Sequence, residues 1–230
     1  MKNLRLQITF TCLLATITLA ATAAFAVSPP PDGGYPNGNT AEGTNALFSL
    51  TTGSENTAIG SSALFNNTVG SDNTATGSSA LLFNTIGDNN TANGFGALQH
   101  STTGSNNLAD GYLALASNTT GFENTASGYQ ALFSNSTGND NTANGFNALV
   151  SNTTGVNNTA LGVGAGSNLN TGSNNIDIGN TGVAGESSKI RIGTKPAQKA
   201  TFIAGISGVT VASGVSFIIN TQGQLGTVVS

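Results

Sequence analysis

Apolar positions along this chain recur neither every 3.6 residues, as on a helix face, nor every second residue, as on a simple strand, but every seventeen. Aligned from Asn39, Asn56, Asn73, Asn90, Asn107, Asn124, Asn141 and Asn158, the units read N-T-A-x-G-x-x-A-L-x-x-N-T-T-G-x-x, and the pattern restarts at Asn175 before it changes. Ala fills the third place (Ala41, Ala58, Ala75, Ala92) and the eighth (Ala46, Ala63, Ala80, Ala97), and Leu the ninth (Leu47, Leu64, Leu81, Leu98, Leu115, Leu132, Leu149). The sixth place carries a ring in the middle of the array, at Phe95, Tyr112, Tyr129 and Phe146. A unit with so few apolar residues buries little alone and becomes stable only when neighbours stack on it.

Gly recurs at the fifth place, from Gly43 to Gly179, and at the fifteenth, from Gly53 to Gly172. Two fixed glycines per unit point to two backbone positions that need positive φ or close approach, and so to two turns. The segments between are too short and too rich in Thr, Asn and Gly for helices. The expected fold is all-β, a repetitive parallel β-solenoid (β-roll) of 17-residue coils, with eight repeats over residues 39–174. At a strand spacing of roughly 4.8 Å, eight coils span about 38 Å. The first place is always Asn, and the second is Thr in every complete repeat but one, where Leu108 stands. Stacking places these identical side chains above one another, where they are expected to bond along the axis.

Both ends of such a stack expose strand edges. Residues 27–38 form a Pro- and Gly-rich spacer or cap, including "PPPDGGYPNG", whose prolines end strand pairing or stiffen the chain. Residues 175–230 read as a β-rich cap or trimerisation region: Ile176 and Ile178 alternate, as do Ile190 and Ile192, and no charged residue lies between Ala200 and Ser230. Segments such as "GVSFIIN" are aggregation-prone when exposed, so this tail is expected to be buried against other chains or a partner domain.

The first 26 residues have the layout of a secretory signal peptide: Lys2 and Arg5, an apolar stretch, and Ala24-Phe25-Ala26 before Val27. An uncleaved membrane anchor is the rival reading, weakened by Gln7 and five threonines. Cleavage removes Cys12 and leaves a chain with no cysteine and no transmembrane anchor. The mature chain keeps four basic against ten acidic residues, a net charge of −6, which makes it a poor candidate for nucleic acid or an anionic membrane.

The units "NTAIG" (56–60) and "NTALGVGAG" (158–166) resemble the head repeats of trimeric autotransporter adhesins of the YadA-like class. That resemblance covers roughly residues 39–193 and implies left-handed parallel β-rolls, assembled as a homotrimer and used for bacterial attachment; the seventeen-residue unit is longer than the usual head repeat. The C-terminal "GESSKIRIGT…ATFIAGISGVTV…NTQGQLGTVVS" resembles the junction that precedes the self-cleaving intramolecular chaperone of phage tailspikes and bacterial surface fibres. Coiled-coil heptads and C-terminal membrane strands of an autotransporter anchor are not found in the sequence given.

Candidate chemistry is sparse. One histidine, His100, at a variable place, cannot complete a triad or a metal cluster and reads as a loop residue. "GVGAG" at 162–166 lacks the strand-to-helix context of a phosphate loop and reads as a tight bend. At the seventeenth place Glu55 and Asp72 stack on adjacent coils, as do Glu123 and Asp140; such pairs are weak Ca²⁺ candidates or exposed charges screened by salt. Lys189, Arg191, Lys195 and Lys199 form a basic cluster that either grips a polyanion or pairs with acidic groups.

These features lead to an exported, non-enzymatic fibrous surface protein without a cofactor, an adhesin head or spacer whose partners are extracellular polymers or glycans. Two alternatives belong to other classes. An ice-binding solenoid draws on Thr at places two and thirteen, although the regular T-x-T face of such proteins is missing. A truncated tailspike-like fibre that binds or cleaves polysaccharide draws on the C-terminal junction and needs a carboxylate pair across a glycosidic bond.

Overall fold

The computed structural model describes residues 34–194, residue 197, and two short strands, 217–219 and 225–227. The leader, Lys195, Lys199 and most of the uncharged tail lie outside the described residues. The chain divides after Thr194 into two units.

The first unit is an all-β parallel solenoid. Strand β1 (Gly34–Tyr35) pairs antiparallel with β2 (Asn39–Glu42) through a 3-10 turn at Pro36–Gly38, so the end of the N-terminal spacer folds back and covers the first sheet edge. Then come β3 (Thr57–Ile59), β4 (Thr74–Thr76), β5 (Thr91–Asn93), β6 (Leu108–Asp110), β7 (Thr125–Ser127), β8 (Thr142–Asn144) and β9 (Thr159–Leu161), each parallel to the strand before it. β10 (Ile176–Ile178) and β11 (Ile190–Ile192) extend the same sheet. From β2 to β10 the register advances by one repeat per rung, Thr40 on Thr57 and Thr57 on Thr74. The last coil is shorter, for Ile176 pairs with Ile190. In the second unit β12 (Phe217–Ile219) and β13 (Leu225–Thr227) form an antiparallel pair.

Each coil therefore carries one short strand at places two to four, extended to Asn39 in the first, and the rest of its circuit is turn and irregular backbone. Two hydrogen-bonded turns follow the strand: Ala63 N donates to Gly60 O at 3.2 Å, and Asn67 N donates to Leu64 O at 3.1 Å. The core is narrow, made of the Ala columns at places three and eight and the Leu column at place nine; Leu64, Leu81, Leu98, Leu115, Leu132 and Leu149 are fully buried.

The two recurrent glycines serve different needs. Gly94, at place five, has φ +128, and a Cβ there would lie 2.6 Å from Gly111 O in the next coil. Gly70, at place fifteen, has no left-handed φ; a Cβ would lie 2.5 Å from both Asn67 Oδ1 and Gly87 O, so crowding alone selects glycine. Left-handed backbone also occurs at places seven, nine and seventeen, including Ser62 (φ 58), Leu64 (φ 50) and Asp72 (φ 58). Asn and Asp tolerate that region, but Leu does not favour it, so burial of the Leu side chain must offset the strain. The eighth repeat solves the same problem in another way: Gly166 takes the left-handed ninth place (φ 62), and Leu169, from place twelve, fills the core at 1 % exposure.

Candidate interaction surface

Polar columns inside the solenoid determine what can point outward. At place one, every Asn from Asn56 to Asn175 donates Nδ2 to Oδ1 of the preceding Asn at 3.0–3.1 Å, and its backbone N–H reaches the same oxygen at 2.9–3.1 Å. The second Nδ2 hydrogen goes to the glycine carbonyl at place fifteen, as in Asn107 to Gly121 O at 2.9 Å. The expected Asn ladder is thus present, buried and saturated. The hydroxyls that bond along the axis are at place thirteen rather than place two: Thr68 Oγ1 donates to Thr85 O at 3.0 Å and Thr85 Oγ1 to Thr102 O at 2.9 Å.

Two further polar columns bond from coil to coil, one at the Asn of place twelve and one at the variable place sixteen. At place twelve, Asn84 donates to Asn67 Oδ1 (2.8 Å), Asn135 to Asn118 Oδ1 (2.9 Å) and Asn152 to Asn135 Oδ1 (2.9 Å). Ser101 interrupts this ladder, leaving Asn84 Oδ1 and its own Oγ buried without partners; Leu169 ends it, leaving Asn152 Oδ1 likewise. At place sixteen, Ser71, Asp88 and Ser105 each accept the backbone N–H of the residue one coil earlier, Ser71 N to Asp88 Oδ1 at 2.7 Å among them.

The sixth-place rings lie outside the core, between 43 and 50 % exposed. Phe95, Tyr112, Tyr129 and Phe146 form one continuous stack, with centroids 5.5, 5.1 and 5.0 Å apart and planes within 13° of parallel. The sequence showed these rings, but a four-ring ladder facing solvent becomes visible only when successive coils are in register. Neighbouring outward positions are amide, hydroxyl or carboxylate: Asn93, Asp110, Ser127 and Asn144 at place four. On another face His100 stacks on Phe83 at 5.2 Å beside an open groove of about 700 Å³ bordered by Thr85 and Thr102. The "GVGAG" segment supplies left-handed bends, with Gly164 at φ 64 and Gly166 at φ 62.

Glu55, Asp72, Glu123 and Asp140 are exposed and all in left-handed backbone. Their place therefore selects first for a residue that accepts this conformation, which Asn89, Asn106, Asn157 and Asn174 do without charge. Among the described residues no three His, Cys, Asp or Glu side chains gather as a metal site. Of the basic cluster, Lys189 is exposed, whereas Arg191 forks onto Glu186 of the same chain, Nε to Oε1 at 2.8 Å and Nη2 to Oε2 at 2.6 Å. That bond holds the Glu186 carboxyl below its ordinary pKa and raises that of Arg191.

Continuing the alignment past Asn175 puts Asp177 at the third place, where eight coils carry Ala. Asp177 is 1 % exposed, and neither of its carboxylate oxygens has a partner. Loss of hydration, then repulsion from Glu186, raise its pKa from 3.8 to about 6, against a smaller lowering by Arg191. Among the described residues no helix is long and apolar enough to cross a membrane. No family model matches the chain, and no curated protein and no solved structure matches it.

Proposed function

We propose that this chain is an exported, non-enzymatic fibrous surface protein, an adhesin head or spacer that binds extracellular polymers through a repeated surface. The observation that carries the reading is the exposed stack of Phe95, Tyr112, Tyr129 and Phe146, which repeats one apolar contact at rung spacing between polar columns. Each contact is weak, but contacts in register on one scaffold act at high effective concentration, so avidity replaces a deep pocket. A homotrimer, as the head-repeat resemblance implies, multiplies the array by three. The test is binding of the secreted protein to immobilised host and biofilm polysaccharides, with the four rings replaced by Ser in a variant that keeps its melting transition. Retention should fall at least about tenfold, or about 1.4 kcal/mol; unchanged retention removes the ring stack from the mechanism. Native mass spectrometry reads the assembly, and a monomer overturns the trimer.

An ice-binding face is the second reading, supported by the outward Thr column of place two, whose members pair rung on rung from Thr40 to Thr91 and from Thr125 to Thr159. The adjacent column at place four is mixed, with Glu42, Ile59, Thr76 and Asn93. Thermal hysteresis on a cold stage, lost on replacing Thr74 and Thr91 with bulky residues, would favour this reading over adhesion.

A further inference from the structure

The third-place column runs as Ala through β2 to β9 and then ends in two charged residues, Asp177 in β10 and Arg191 in β11, which are paired in the parallel register. Arg191 does not bond to Asp177; its guanidinium is occupied by Glu186 from the intervening loop. The same loop lies over Asp177, for a Cβ on Gly182 would come within 2.8 Å of Asp177 Oδ2. Across the other side of the column stands Ala160, which brings no charge. The charged groups that face Asp177 are therefore Glu186, which repels it, and Arg191, which attracts it but is committed elsewhere.

A carboxylate sealed against apolar neighbours with both oxygens unpartnered is tolerated well only when it holds a proton. A charge on Asp177 can regain hydration only if the covering loop and β11 lift away. As the last strand of the sheet, β11 is held on one side only, by a three-residue parallel register with β10 flanked by Ile176 N to Lys189 O at 2.8 Å and Gly193 N to Ile178 O at 2.8 Å. Side-chain ties add to these: Asn175 Oδ1 accepts Lys189 N at 3.1 Å, Asn175 Nδ2 donates to Glu186 O at 2.9 Å, and Asn170 Oδ1 accepts Gly185 N at 2.9 Å.

We infer that the C-terminal end of the solenoid is a proton-controlled cap, in which neutral Asp177 keeps residues 179–193 closed over the core and ionised Asp177 releases them. Closed, the cap covers the outer edge of β10. Open, it exchanges the edge of β11 for that of β10 and exposes the core end beneath it to solvent.

The sign follows from linkage. Asp177 has a higher proton affinity in the closed state than when solvated, so closure is favoured at low pH and weakens as pH rises from 3.8 to about 6. Glu186, held low by Arg191, is ionised throughout the upper part of that range and does not reverse the trend. Between pH 5 and pH 7 the open fraction should rise about tenfold.

The experiment is hydrogen exchange with mass spectrometry on the full chain, with rates divided by intrinsic rates at each pH. Peptides covering residues 186–193 should lose about tenfold protection between pH 5 and pH 7, while those covering residues 107–149 stay constant. Asp177→Asn should abolish the difference and keep the cap protected at both values. Asp177→Ala, which continues the Ala column, should do the same even where the unpartnered Asn amide is poorly tolerated. Equal protection of the wild-type cap at both pH values overturns the proposal, as does an unchanged pH dependence in both variants.

Discussion

Coils two to seven and the final coil solve the same packing problem with opposite chemistry. In the middle of the sheet the third place is Ala75, Ala92, Ala109 or Ala126, each buried between identical neighbours, and the adjoining Asn column has every amide hydrogen used. In the last coil the same place is Asp177, buried to the same degree with nothing to bond. Burial alone does not set stability here. A repeated residue finds on each rung the partner it offers to the next, whereas a unique residue at the end inherits the burial without the partner.

The contrast can be broken most severely in the middle. Gly94→Ala forces a Cβ onto Gly111 O in a left-handed backbone, and because neither coil can shift without disturbing its own neighbours, the loss should exceed about 4 kcal/mol or abolish the folded protein, read by urea denaturation. Next comes Asn107→Ala, which strands the N–H of Asn124 and takes one of two bonds from Asn90 Oδ1 and from Gly121 O; about 3 kcal/mol of destabilisation is expected in the same assay.

The end should respond in the opposite direction. Asp177→Asn removes a charge whose burial moves the pKa from 3.8 to about 6, a cost of about 3 kcal/mol at most. Asp177 lies only one rung from the end of the sheet, so part of that figure can be relieved by local opening. Stabilisation should be full above pH 6, shrink between pH 6 and 3.8, and vanish below, as followed by unfolding across pH. The smallest effect is a repair: Ser101→Asn would rejoin the place-twelve ladder between Asn84 and Asn118 and supply a donor to the orphaned Asn84 Oδ1, a gain of about 1 kcal/mol, seen as a rise of a few degrees in melting temperature.

Sequence alone revealed what stacking must repeat. Asn at place one, Ala at place three and Leu at place nine each meet copies of themselves, so their periodicity is the fold written linearly. Backbone handedness was less legible. Nothing about Leu64 or Leu81 announces a φ near 50, because the strain is offset by burial that depends on the neighbouring coil. Nor did Gly70 reveal that crowding, and not φ, keeps it glycine. The ring stack was half visible: the four aromatic residues stood out, but their exposure follows from the turn geometry after the strand. Asp177 could have been found by carrying the alignment one line further, since an acid in an Ala column is conspicuous once the column is known to be interior.

The Asn ladder also has a direction. Each side chain donates toward the coil already behind it and leaves an Oδ1 facing forward, beginning with Asn39, whose Nδ2 is satisfied by Pro36 O, and ending with Asn175, whose Oδ1 takes Lys189 N. The two ends of the ladder are therefore unlike: amide hydrogens face the coil before and an amide oxygen faces the coil after. An added repeat can extend it at any rung, but only in the orientation of its neighbours, so the column carries a polarity that its identical side chains conceal.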